Sequence, residues 1–127
     1  MRVFATGWSE GYDGPGRRRI VYLKGCNFRC RWCASPEGIS ARDQMLFYRE
    51  RSAGSEGACP YGAVRRSGGS LRLARSVCAT CAGRPCVDVF RHPAFELAGT
   101  ELSPEQIVDE AAKSRMLFGR GGGVTFG

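Results

Sequence analysis

Apolar and polar positions are regularly patterned in two stretches of the chain and lose that order between them. Residues 1–12 suit a short extended segment. Asp13-Gly14-Pro15-Gly16 reads as a turn, since Gly and Pro supply the backbone angles a reversal needs. Arg19 to Lys24 (RIVYLK) is β-branched and aromatic with polar residues at both ends, which predicts a strand ended by Gly25. A cysteine loop follows from Cys26 to Glu37, and Pro36 disfavours helix through its end. Residues 38 to about 98 are rich in Gly, Ser and Arg with little helical period; Leu71 and Leu73 alternate as in a small hairpin strand. This stretch reads as an inserted module that depends on something other than a core.

Order returns at Ser103. Ser103-Pro104-Glu105-Gln106 has the form of a capping box with Pro at the first helical position. Ile107, Val108, Ala111 and Ala112 then share one face, predicting an amphipathic helix over about 104–116. Gly119 and Gly121-Gly122-Gly123 stop it, and Val124-Thr125-Phe126 begins a strand. Strand, long connection with a helix, strand: this order predicts a parallel crossover in an α/β fold. The chain is expected to stop where such a fold is only beginning.

Composition sharpens the picture. The 127 residues allow one compact domain, or a small domain plus a fragment. Eighteen glycines and six prolines favour turns over long helices. Seven cysteines, an odd number, fall unevenly, with three inside residues 26–33 and three inside 78–86. A secreted disulfide framework would use an even count behind a signal peptide. The opening MRVFATGWSE has no apolar core of that kind, and no stretch nears the roughly 20 apolar residues of a membrane span. The expectation is a cytoplasmic protein in a reducing compartment, away from membranes, whose clustered cysteines bind metal or do redox chemistry. The net charge of +7 raises the question of nucleic acid. Apart from Arg17, Arg18 and Arg19 the arginines are scattered, and no recognition motif is present, so a solvated basic surface is the reading and no nucleic-acid partner is expected.

The segment GCNFRCRWCASPEG carries Cys26, Cys30 and Cys33 at spacing C-x3-C-x2-C. Soft thiolates select zinc, Cu(I) or iron–sulfur clusters. Structural zinc wants four ligands. The next cysteine is Cys59 and the only histidine is His92, so a fourth local ligand is missing. Three cysteines suit a four-iron cluster with one open iron; a zinc knuckle or unligated cysteines are the alternatives.

C-x3-C-x2-C after a first strand resembles the signature of the radical S-adenosylmethionine superfamily. The neighbouring residues resemble, more narrowly, the activating enzymes of glycyl radical enzymes, of the pyruvate formate-lyase activase kind. They are Asp13-Gly14-Pro15-Gly16, Leu23-Lys24-Gly25-Cys26, Cys30-Arg31-Trp32-Cys33-Ala34-Ser35-Pro36-Glu37 and Gly121-Gly122-Gly123-Val124-Thr125-Phe126. The resemblance implies the first βα part of a partial (β/α) barrel, with residues 1–37 and 99–127 in that domain. It implies a [4Fe-4S] cluster on Cys26, Cys30 and Cys33 that binds S-adenosylmethionine, with Trp32 against the adenine. It further implies a radical oxidoreductase whose substrate is a glycyl radical enzyme and whose reductant is a flavodoxin or ferredoxin. The family continues into a GGEP-type segment that this chain lacks, so the 127 residues alone are expected to be inactive.

Many such enzymes carry a ferredoxin-like insert with two C-x2-C-x2-C-x3-C-P runs, and residues 38–98 sit where it belongs. Cys59-Pro60 is what remains of the first run. The second reads Cys78-x2-Cys81-x4-Cys86, with Phe90 in place of a fourth cysteine. In two-cluster ferredoxins the fourth cysteine of each run ligates the other cluster. By that resemblance Cys59, Cys78, Cys81 and Cys86 form one whole site, and the seven cysteines divide as three plus four. A second [4Fe-4S] cluster is the expected occupant; a zinc ion or an empty remnant are the alternatives, because the loop from Cys81 to Cys86 is two residues longer than the ferredoxin pattern.

Lys24 reads as a solvent-exposed charge and His92 as an ordinary loop histidine. Asp13 and Arg18 are open between substrate-facing and plain turn or solvated roles, and Phe4 and Trp8 are packing residues. The rival functions are a small ferredoxin-like electron carrier, a zinc-binding module, or a radical enzyme acting on a small molecule or peptide.

Overall fold

The computed structural model describes residues 1–81, 83–88 and 92–127, with the backbone alone for Asp88. The elements in chain order are strands β1 (Arg2–Glu10), β2 (Arg17–Leu23), β3 (Gln44–Phe47), β4 (Val64–Ser67) and β5 (Ser70–Leu73), helices α1 (Arg75–Thr80) and α2 (Pro85–Asp88), strands β6 (Phe95–Ala98) and β7 (Thr100–Glu101), helix α3 (Pro104–Lys113) and strand β8 (Gly123–Phe126). The fold is mixed α/β. The chain separates into two compact units, Met1–Asp43 with Ala98–Gly127, and Gln44–Leu97.

The first unit is a four-stranded sheet in the order β7-β1-β2-β8. β1 and β2 run antiparallel, with Glu10 opposite Arg17 at the turn end and Val3 opposite Leu23 at the other. β2 and β8 run parallel, from Arg18 opposite Gly123 to Val21 opposite Phe126, which is the crossover the pattern predicted. Ser103 and Gln106 complete a capping box: the Gln106 N–H donates to Ser103 Oγ at 3.2 Å and the Ser103 N–H to Gln106 Oε1 at 2.8 Å. α3 ends at Lys113, three residues early, because the chain tightens into a 3-10 turn at Arg115–Leu117.

Ile107 anchors α3 against Val3 and Val21, all buried, with Leu23, Leu102 and Val124 around them. Burial of each such side chain is worth about 1.5–3 kcal/mol. The expected apolar face of α3 is covered only at that point. Val108 is 65% exposed and shares an open apolar hollow with Ala111, Ala112, Phe118 and Phe126.

The second unit corrects one expectation: it has a core of its own. Met45, Ala58, Val64, Leu71, Cys86, Ala94 and Phe95 are buried together, and Phe47, Cys59, Leu73, Cys78, Val87 and Leu97 pack around them. The apolar residues escaped a periodicity reading because they lie on short elements, two of them two-stranded sheets, β3-β6 and β4-β5. β4 and β5 form the expected hairpin, with Val64 opposite Leu73 and Arg66 opposite Leu71. Three of the seven cysteines belong to this core or its flank. No helix among the described residues is long and apolar enough to cross a membrane.

Candidate metal centres

The loop bearing Cys26, Cys30 and Cys33 leaves the sheet at the C-terminal end of β2. Its base is closed by three hydrogen bonds. The N–H groups of Gly25 and Cys26 both donate to Gly38 O, at 2.8 and 3.2 Å, and Lys24 Nζ donates to Glu37 O at 2.5 Å. Pro36 opens a single 3-10 turn, Pro36–Gly38, that presents both acceptors, as Pro does at a first helical position. Within the loop, the Cys33 N–H donates to Cys30 O at 3.2 Å, and Arg29 Nη1 donates to Cys26 O at 2.9 Å and Phe28 O at 2.7 Å. All three cysteines are exposed. Trp32, at 84% exposure, and Phe28, at 68%, stand beside them with their rings in solvent. The loop therefore offers three accessible thiols and an open aromatic face on a pinned base.

Lys24 is not the exposed charge expected. It is half-buried, and burial lowers its pKa from the usual lysine value, against the opposing pull of Asp43 and Glu37. Asp43 is itself held by Arg2, with Nη1 donating to Oδ1 at 2.6 Å.

The arginine run after the first turn is also not simply solvated. Arg18 Nε donates to Thr125 Oγ1 and its Nη2 to Val124 O, both at 2.6 Å. Thr125 Oγ1 in turn donates to Asp13 O at 2.9 Å. Arg18 thus ties the Asp13–Gly16 turn to β8 across 106 residues or more of chain. The guanidinium groups of Arg17 and Arg19 lie over the Trp8 ring, 4.9 and 5.3 Å from its centre, and Trp8 meets Phe118 at 5.7 Å. Phe4 packs on Tyr22 at 5.6 Å.

In the second unit Cys59, Cys78, Cys81 and Cys86 line one small cavity, with Met45, Tyr61, Val77 and Pro85 completing its wall. α1 carries Cys78 and ends on Cys81; α2 carries Cys86. Cys59 is fixed by the Ala63 N–H, which donates to its Sγ at 3.3 Å. Burial pushes the thiols of Cys78 and Cys86 up, and the neighbouring Cys59 pushes both further. A bound cation reverses that logic and draws the protons off. The free space is about 20 Å³, room for about one water-sized sphere. Among the described residues no group of three or more His, Cys, Asp or Glu side chains is already drawn into a metal-ligating arrangement. Met45, Val77 and Pro85, with the charged Arg84, wall the cavity around the four thiols. The donor chemistry fits a thiophilic metal or cluster; a cubane would require that wall to open. Phe90 lies outside the described residues.

His92 behaves as a loop histidine. Its Nδ1 accepts from the Ala94 N–H and its Nε2 faces Ala53 O, each at 3.2 Å.

Sequence reasoning missed the half-buried Lys24, whose partner Glu37 O is presented only by the Pro36–Gly38 turn. It left Arg18 open; the partner Thr125 was visible only as part of a strand.

Residues 12–58, which carry the pinned loop and its three open thiols, match the family described as a 4Fe-4S single cluster domain. That match contains Cys26, Cys30 and Cys33 and stops one residue before Cys59. The indoleacetate decarboxylase activating enzyme of Tractidigestivibacter scatoligenes is 31% identical over 125 residues, covering 90% of this chain and 40% of that protein. The 4-hydroxyphenylacetate decarboxylase activating enzyme of Clostridioides difficile is 31% identical over 123 residues, covering 91% and 39%. The choline trimethylamine-lyase activating enzyme of Oleidesulfovibrio alaskensis is 36% identical over 122 residues, covering 91% and 39%. No solved structure matches the chain. The chain belongs to the radical S-adenosylmethionine family of glycyl radical enzyme activating enzymes. It spans about 40% of the length of these relatives.

Proposed function

We propose that this chain is the cluster-bearing part of an activase that places a radical on a backbone glycine of a partner enzyme. The observation that carries the reading is the exposed triad Cys26, Cys30 and Cys33 on a loop pinned at the C-terminal end of β2, inside the matched 4Fe-4S region. The cysteines would hold three irons of a [4Fe-4S] cluster and leave the fourth open. When bound, that cluster supplies the electron that cleaves S-adenosylmethionine to a 5′-deoxyadenosyl radical. Trp32 would cover the adenine with the ring that now faces solvent. Arg18, Thr125 and Asp13 fix the opposite end of the sheet, where β2 begins. The parallel pair β2–β8 would begin a partial (β/α) barrel, with the site at the C-terminal strand ends, as in other barrels. The partner would be a glycyl radical enzyme, with a flavodoxin or ferredoxin as reductant and the cytoplasm as the place of work. Residues 38–98 would serve as an iron–sulfur insert whose Cys59, Cys78, Cys81 and Cys86 hold a second [4Fe-4S] cluster.

Anaerobic reconstitution tests the first site. The chain should take up about four irons at the triad, and Cys30→Ala should lose these while sparing the insert. Unchanged iron in Cys30→Ala, or zinc in place of iron at the triad, overturns the reading.

A further inference from the structure

The second unit, residues 44–97, contains eight arginines, no lysine and four acidic residues. Three of the arginines meet at one place. Arg49 in the 3-10 turn Arg49–Arg51, Arg72 on β5 and Arg75 at the start of α1 line a cavity of about 180 Å³, flanked by Phe47 and Leu73. Among the described residues none of the three is in an ion pair. Arg75 is oriented by a hydrogen bond from Nη1 to Met45 O. The backbone of Arg49 is fixed by the Ser52 N–H and Ser52 Oγ, which donate to its carbonyl at 3.1 and 2.6 Å. The positions are thus held while the guanidinium forks of Arg49 and Arg72 are open.

Three like charges around one cavity repel, and a carboxylate relieves this by accepting paired N–H bonds from an arginine fork. The apolar flanks and the basic balance of the whole unit favour a large acidic surface over a single small anion, because the field of the unit extends past the cavity and steers approach. The patch also adjoins the cysteine cavity: Met45 accepts from Arg75 through its backbone and lines the four-cysteine cavity with its side chain. Arg75 and Cys78 lie at i and i+3 of one helix, on the same side.

We propose that Arg49, Arg72 and Arg75 form the docking site for the carboxylate-rich surface of an acidic redox protein of the flavodoxin or ferredoxin kind. The identity of that partner rests on the function proposed above; the anion-binding character of the patch does not.

The test is binding of fluorescently labelled flavodoxin to the reconstituted full chain, followed by anisotropy at low and moderate salt. Arg49→Glu/Arg72→Glu should weaken binding by about tenfold or more, and Arg49→Lys/Arg72→Lys should keep most of it. Arg115→Glu/Arg120→Glu, at two exposed positions of the other unit, changes the net charge equally and should cost less than about threefold. Equal losses in both glutamate pairs would reduce the effect to net charge and overturn the proposal. So would unaltered binding in Arg49→Glu/Arg72→Glu, or a patch that binds inorganic phosphate and not flavodoxin. Visible absorption of the cluster, read in the same samples, separates the two ideas: a loaded triad with no docking defeats only the docking site, and an unloaded triad defeats the proposed function.

Discussion

Three adjacent glycines, Gly121, Gly122 and Gly123, lead from the 3-10 turn after α3 into β8, and the structure gives each a different tolerance for a side chain. Gly121 has φ +79° and open space where a Cβ would stand. Alanine there meets only backbone strain, about 1–2 kcal/mol, partly offset by about 0.4–1 kcal/mol from a stiffer unfolded chain. At Gly122 an added Cβ would press into the carbonyl oxygens of Phe118 and Arg17 and lie 2.8 Å from Phe118 C. These are backbone atoms, so relief must move β2 or the turn, and overpacking of this kind costs about 3 kcal/mol. At Gly123 the nearest atoms are the Arg18 guanidinium nitrogens at 3.5 and 3.6 Å, which is ordinary contact with a flexible side chain. Alanine there should be neutral within about 0.5 kcal/mol. Urea unfolding of the three alanine variants, followed by circular dichroism without oxygen, tests the order. With a slope of about 1.5 kcal/mol/M, Gly122→Ala should lower the midpoint by about 2 M, Gly121→Ala by under 1 M, and Gly123→Ala hardly at all. Equal losses at all three positions, or a larger loss at Gly121 than at Gly122, would show that the close approach of the turn to β2 does not set the geometry of this edge.

Two further outcomes follow from the metal centres. Lys24→Met removes one of the three hydrogen bonds that close the cysteine loop and should speed chelator-driven loss of iron from the triad about fivefold, the worth of about 1 kcal/mol for a half-exposed bond; Lys24→Arg should restore most of it, and an unchanged rate in Lys24→Met would refute the latch. Cys59→Ala and Cys81→Ala should each remove the metal of the second unit to the same extent, with little added by the double variant, since ligands of one site are not additive; full metal retention in Cys59→Ala would leave Cys59 an ordinary thiol.

The ends of the molecule were legible because they use local rules. The box Ser103-Pro104-Glu105-Gln106 starts a helix wherever it occurs, and RIVYLK between a turn and a glycine makes a strand with little help from the rest of the chain. The parallel pairing of β2 with β8 was also readable, since a long helical connection permits little else. The core of the second unit was not. Met45, Leu71 and Phe95 come from three short strands, and four-residue strands are too brief to show a period. Lys24 was misread for a related reason: its burial depends on the turn at Pro36–Gly38 folding back, a tertiary event that no property of LKGC announces. The division of the face of α3 into a buried Ile107 and an exposed Val108 is likewise decided by what the sheet reaches, not by helical spacing.

Exposure sorts the cysteines by environment. Cys26, Cys30 and Cys33 are exposed on a loop that holds its shape through backbone hydrogen bonds at its base, so a ligand could reach a centre bound there without disturbing the fold. Cys86 is buried, Cys59 and Cys78 are half-buried against the core of the second unit, and Cys81 is half-buried on the same cavity. A centre in that cavity would be more enclosed than one on the loop, with Met45, Val77 and Pro85 beside it. Its loss would leave buried thiols in place and a cavity to collapse, so its binding would act through the stability of the unit. Metal at the triad should therefore leave the unfolding midpoint of the second unit almost where it was, whereas metal at the four-cysteine site should raise it.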